Sequence, residues 1–174
     1  TFKSSLMAIE IERRFLVISE EWRAFAGAEQ ALRQGYLAIS KKGWSVRIRI
    51  RAQQKSWLTL KASTSGTINQ EFEYVIPIED AESLWEQAPH RVLKSRYALQ
   101  IGDSNWIVDC FQGDNAPLVL AEVELHSEEQ MINVPDWCGR EITGEFDWSN
   151  AALAQNPIKH WPIEKLRANG LIQK

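Results

Sequence analysis

The chain has little of what builds extracellular or membrane architectures. Its 174 residues include only two cysteines, Cys110 and Cys138. They lie far apart and belong to no Cys-x-x-Cys or Cys/His cluster, which argues against a disulfide framework and a structural zinc site; a reducing cytoplasm is the simplest reading. No apolar run approaches the roughly 18 residues that span a bilayer, and the first residues lack the apolar core of a secretory signal. Neither sign of charge is in large excess: 20 Lys and Arg stand against 23 Asp and Glu, a net charge of -3. Nothing global therefore draws the chain to nucleic acid or to an anionic membrane, and any basic site must be local. A Gly-rich phosphate loop, a Ser/His/Asp arrangement, internal repeats and low-complexity tracts are also missing.

With 44% apolar residues, there is ample material for a sizeable core. One domain, 7–174, is expected, with Met7 as the natural start and residues 1–6 as an extension. Period-two segments separated by turn residues predict strands near 8–17, 36–40, 44–52, 56–62, 68–77, 91–100, 105–112 and 117–126. Helices are predicted over 19–34, which opens on Ser19 and an acidic first turn, and over 79–88, which stops before Pro89. A third, irregular helical region follows Trp148. These elements give an α+β fold built on about eight mainly antiparallel strands, a number able to close into a barrel around one small ligand.

Side chains alternate faces along a strand, so each row can be read for what it shares. One set of faces carries seven acids, Glu10, Glu12, Glu71, Glu73, Asp109, Glu122 and Glu124, and seven bases, Arg14, Arg47, Arg49, Arg51, Lys61, Lys94 and Arg96. A single Glu-x-Glu or Arg-x-Arg pair is most often a solvated surface. Here, however, like charges follow one another at same-face positions roughly 6.5–7 Å apart, with few of the usual Thr, Ser and Gln between them. Such rows repel and contribute nothing to folding. A polyphosphate gives the bases a purpose, because guanidinium forks suit phosphate oxygens. The acids then imply a bridging hard cation, Mg²⁺ or Mn²⁺. The charged faces are therefore expected to point inward, with the apolar faces covered from outside by helices.

The segment "EIERRFLV" (10–17) resembles the ExExK signature of the CYTH superfamily, or triphosphate tunnel metalloenzymes. "LRQGYL", "VRIR", "LTLKAS", "QEFEY", "LKSRY", "VDCFQG", "LAEVEL" and "WCGREIT" follow in that family's order and spacing. The resemblance implies an eight-stranded antiparallel barrel whose charged lumen is the active site, closest to the short bacterial members that hydrolyse inorganic triphosphate. It implies metal ligands at Glu10, Glu12, Glu73, Asp109, Glu122 and Glu124, and triphosphate contacts at Arg14, Tyr36, Arg47, Arg49, Lys61, Lys94 and Arg96. Glu71 and Glu73 correspond to acids that orient the bases. Catalysis would fall to Lys61, Lys94, Arg96, Glu122 and Glu124, with two ions, one of them positioning the attacking water. Arg51 is expected at the rim. Arg14 departs from the signature lysine and rules out any role needing a neutral amine there. Asn69 stands where many relatives have a base.

Other activities on this scaffold are cyclisation, as in class IV adenylate cyclases, and thiamine triphosphate hydrolysis; a non-catalytic polyphosphate-binding module is the outsider. The expected partner is a small triphosphate, as a monomer or homodimer. His126 is expected at the barrel rim without a ligand role, His90 and His160 in loops, and Cys110, Trp22 and Trp85 as core.

Overall fold

The computed structural model describes residues 9–40, 43–52, 55–65 and 68–172; the expected start at Met7 and the extension 1–6 lie outside them. The described residues form β1 (Ile9–Val17), β2 (Gln30–Ile39), β3 (Trp44–Arg51), β4 (Lys55–Ser65), β5 (Ile68–Val75), β6 (His90–Ile101), β7 (Ser104–Phe111), β8 (Val119–Leu125) and β9 (Cys138–Glu141). The order β5-β4-β3-β2-β6-β7-β8-β1 closes because β1 pairs back onto β5. The result is the expected eight-stranded antiparallel barrel. The short β9 extends the same edge of β1: Ile9 to Ile11 face β5, whereas Phe15 and Val17 face Glu141 and Cys138.

The barrel wall sorts side chains as the alternation requires. On the outer face, Ile48, Ile50 and Leu58 pack beneath α1 (Ile78–Gln87), which buries Ala81 and Trp85. The helix sits close because β2 offers Gly35 there: a Cβ at that position would lie 2.8 Å from the Cβ of Ala88. A second outer cluster gathers Phe15, Trp106, Val108, Ala121 and Val123 with Trp22 and Trp137, and Cys110 packs against it. Both cysteines are free, and burial pushes the Cys138 thiol up to about 12. No helix among the described residues is long and apolar enough to cross a membrane.

One expectation is corrected. The helix over 19–34 does not form. Glu21–Phe25 makes a 3₁₀ turn, and the chain from Gln30 is already strand, pairing with β3 and β6 on its two sides. Strand pairing overrides the local helical pattern, since without β2 both neighbours would expose an unpaired edge. Gly27, a poor helix former, instead donates its N–H to the Ala98 carbonyl at 2.9 Å.

The C-terminal region, besides adding helices outside the barrel, packs against one end of it. Leu16, Val92, Phe111 and Leu120 occupy inward positions at one end of the bore, and they form a core with Ile142, Trp148, Leu153, Ile158 and Trp161. The short α2 (Asn150–Gln155), capped by the Ser149 hydroxyl, rests against β6 and β2 there. The bore is thus stoppered at one end by greasy side chains. Beyond it, α3 (Ile163–Ala168) is fastened by Lys165, whose ammonium contacts Asp147 at 2.6 Å and the Trp161 ring at 3.7 Å.

Candidate active site

Inside the remaining bore lies a cavity of about 530 Å³. Its wall carries Glu10, Glu12 and Arg14 from β1, Tyr36 from β2, Arg47 and Arg49 from β3, Lys61 from β4, Glu71 and Glu73 from β5, Arg96 from β6, and Glu122 and Glu124 from β8. Twelve predicted site residues therefore share one chamber. Cross-strand register brings them together: Glu12 stands opposite Glu124, Arg14 opposite Glu122, and Lys61 opposite Glu71.

Lys61 is the hub of the first group. Its ammonium lies 2.6 Å from Glu10, 3.3 Å from Glu71 and 3.9 Å from Glu12. Burial acts to lower its pKa, but these three acids outweigh that and raise it. Glu10 moves upward because burial, with help from Glu12 and Glu71, outweighs the attraction of Lys61. Arg47 and Arg49 reach Glu71 and Glu73, each at 3.4 Å. Burial beside Arg47 and Arg96 pushes Arg49 down to about 10, so three guanidinium groups are crowded into one space. Such crowding is unfavourable in a folded chain and favourable for an anion.

The second group lies deeper. Asp109 accepts a bidentate pair from Arg96 at 2.8 and 2.7 Å and a third hydrogen bond from Lys94 at 2.6 Å. Arg96 also reaches Glu122 at 3.0 Å. Burial acts to raise the Asp109 pKa, yet its two cations hold it well below the usual carboxylate range. Lys94 is governed instead by burial, which, with the neighbouring Arg96, outweighs Asp109 and Glu122 and pushes it down to about 8. Neither Lys94 nor Asp109 is among the residues lining the cavity; both are buried, and Asp109 connects Lys94 to Arg96. Arg51 is also absent from the lining, its guanidinium lying over Trp57. His126 is exposed.

The acids and bases interleave, so among the described residues no three carboxylates already converge at the spacing of a metal centre. The donor chemistry nevertheless suits a hard cation: Glu12 and Glu124 are direct cross-strand partners of like charge, and Glu10 follows Glu12 on the same face. The CYTH domain model matches residues 8–150. The chain belongs to the CYTH family. It is 37% identical over 157 residues to an inorganic triphosphatase of Acetivibrio thermocellus, covering 89% of this chain and 99% of that protein. An inorganic triphosphatase of Nitrosomonas europaea is 36% identical, over 83% of this chain and 96% of its own. The crystal structure of an inorganic triphosphatase superposes with a TM-score of 0.62 at 35% identity, covering 83% of this chain and 93% of the other.

Several wall residues of this CYTH barrel escaped the sequence reading. Gln34 shares the inward parity of Tyr36, and extending β2 backward would have revealed it. Thr143 to Glu145, Ser149, Asn150 and Ala151 close the chamber from the C-terminal segment. The Asn150 side-chain oxygen accepts from Lys94 at 3.0 Å. No periodicity announces them, because they come from turns and from the first turn of a short helix.

Proposed function

We propose that residues 7–174 act as one domain that hydrolyses inorganic triphosphate to pyrophosphate and phosphate with the aid of a divalent cation, Mg²⁺ or Mn²⁺. One observation carries this reading: cations and carboxylates alternate around a single chamber closed at one end by apolar packing. A chamber of cations alone would suit a binding module, whereas interleaved carboxylates suit metal-assisted chemistry. The kinship with two inorganic triphosphatases supports hydrolysis over cyclisation.

Arg14, Tyr36, Arg47, Arg49, Lys61 and Arg96 would bind and align the phosphates, spreading positive charge over non-bridging oxygens as phosphoryl transfer requires. Glu10 with Glu12, and Glu122 with Glu124, would hold the cation or cations at the substrate, Glu73 lending a further carboxylate. When bound, such an ion offsets phosphate charge and acidifies coordinated water. Asp109, with both oxygens taken, fits a positioning role that fixes Lys94 and Arg96 better than the metal role the resemblance implies. With a terminal phosphoryl group at the closed end, an organic substituent would have to project away from it. Two free thiols agree with a reducing cytoplasm as the place of action.

The test is incubation with inorganic triphosphate, ATP and thiamine triphosphate under Mg²⁺ or Mn²⁺, with phosphate, pyrophosphate and cyclic nucleotide measured. Phosphate and pyrophosphate from inorganic triphosphate are expected. Cyclic AMP as main product would overturn hydrolysis, and tight binding without turnover would favour the module.

A further inference from the structure

Gln34 is a neutral side chain set among the charged residues of this wall. It is 1% exposed and lines the cavity, yet among the described residues neither its Nε2 nor its Oε1 has a hydrogen-bond partner. Buried amides are almost always paired, because stripping water from both ends of the group without replacement is unfavourable. The position lies opposite Arg49 on β3 and Val92 on β6, and Val92 belongs to the apolar stopper. A leucine there would fill similar space and extend the stopper. The chain keeps an amide where packing alone favours a hydrocarbon.

We propose that Gln34 is a substrate-binding residue whose side-chain amide receives the terminal phosphoryl group of an oligophosphate at the closed end of the chamber. This rests on the function proposed above. Nε2 donates to a non-bridging oxygen, giving a contact without adding charge beside the crowded Arg47, Arg49 and Arg96. Oε1 accepts from a proton-bearing oxygen, a P–OH or a water. An amide supplies both; no lysine or arginine can accept.

The test pairs steady-state kinetics on inorganic triphosphate with thermal unfolding of the ligand-free protein. Gln34→Leu should melt at the wild-type temperature or above, since it removes an unpaired buried amide, while KM rises about tenfold or more, as expected for losing a hydrogen bond to a charged group. Gln34→Glu, which sets a carboxylate against phosphate, should raise KM further. Gln34→Met, equally long and without either hydrogen-bonding group, serves if Q34L does not fold. A wild-type KM in Q34L or Q34M overturns the assignment and leaves the proposed function standing. A wild-type chain that turns over no inorganic triphosphate defeats the proposed function. Calorimetric titration with inorganic triphosphate then decides Gln34: weaker binding by Q34L supports its role, and equal binding or none by wild type overturns it.

Discussion

Lys94 is buried with its ammonium 2.6 Å from the Asp109 carboxylate, and Asp109 in turn grips Arg96 through two further hydrogen bonds. One acid thus anchors two cations at the deep wall of the chamber. Removing its charge strands Lys94 in a dry site. Asp109→Asn should therefore destabilise the protein by about 3–5 kcal/mol, the usual loss when a buried pair keeps only one partner. Urea unfolding at neutral pH measures this, and a loss below about 1 kcal/mol would show that the pair contributes little.

The same anchor sets an acid limit. The Asp109 pKa is depressed in the folded chain, so the unfolded chain binds more protons as pH drops and stability falls with it. The contribution is fully present above the ordinary carboxylate range, near 4, and is withdrawn progressively below it. Stability followed from pH 6 to 2 should decline more steeply in wild type than in D109N. Parallel curves would contradict the linkage.

Glu12 and Glu124 face each other across β1 and β8. Glu124→Gln should fold normally, with unchanged or slightly raised melting temperature because a like-charge pair is relieved. Turnover should drop by at least about 100-fold, the scale on which a metal site suffers from altered ligation. An active, metal-dependent E124Q enzyme would count against the carboxylate's role.

Chelation separates chemistry from folding. EDTA should abolish triphosphate hydrolysis, and Mg²⁺ or Mn²⁺ should restore it, while circular dichroism stays constant because the barrel is held by strand pairing and packed side chains. Activity that survives exhaustive chelation would remove the cation from the scheme.

Leu153 is fully buried in the stopper beside Trp148 and Trp161. Leu153→Ala should lower stability by about 2–5 kcal/mol through lost burial and a residual cavity. Chemical denaturation checks the size. A near-neutral change would mean that the C-terminal segment packs loosely and does not seal the bore.

Alternation alone determined a great deal. Like charges at every second position, as in Arg47 and Arg49 or Glu122 and Glu124, identified the strands and the inward face, because a strand's side-chain period is fixed by covalent geometry. Tertiary structure decided the rest. Residues 30–35 carry a pattern a helix could use, yet they became strand because β3 and β6 both needed a partner. Whether the bore was open or stoppered depended on where Trp148, Leu153 and Trp161 came to rest. Asp109 was legible as an inward acid, but its engagement by Lys94 and Arg96 became visible only once β6 and β7 were laid in register. Period and parity are local and survive in a one-dimensional string. Closure, end-packing and ion-pair choice depend on contacts between distant segments, and only the folded chain brings those segments together.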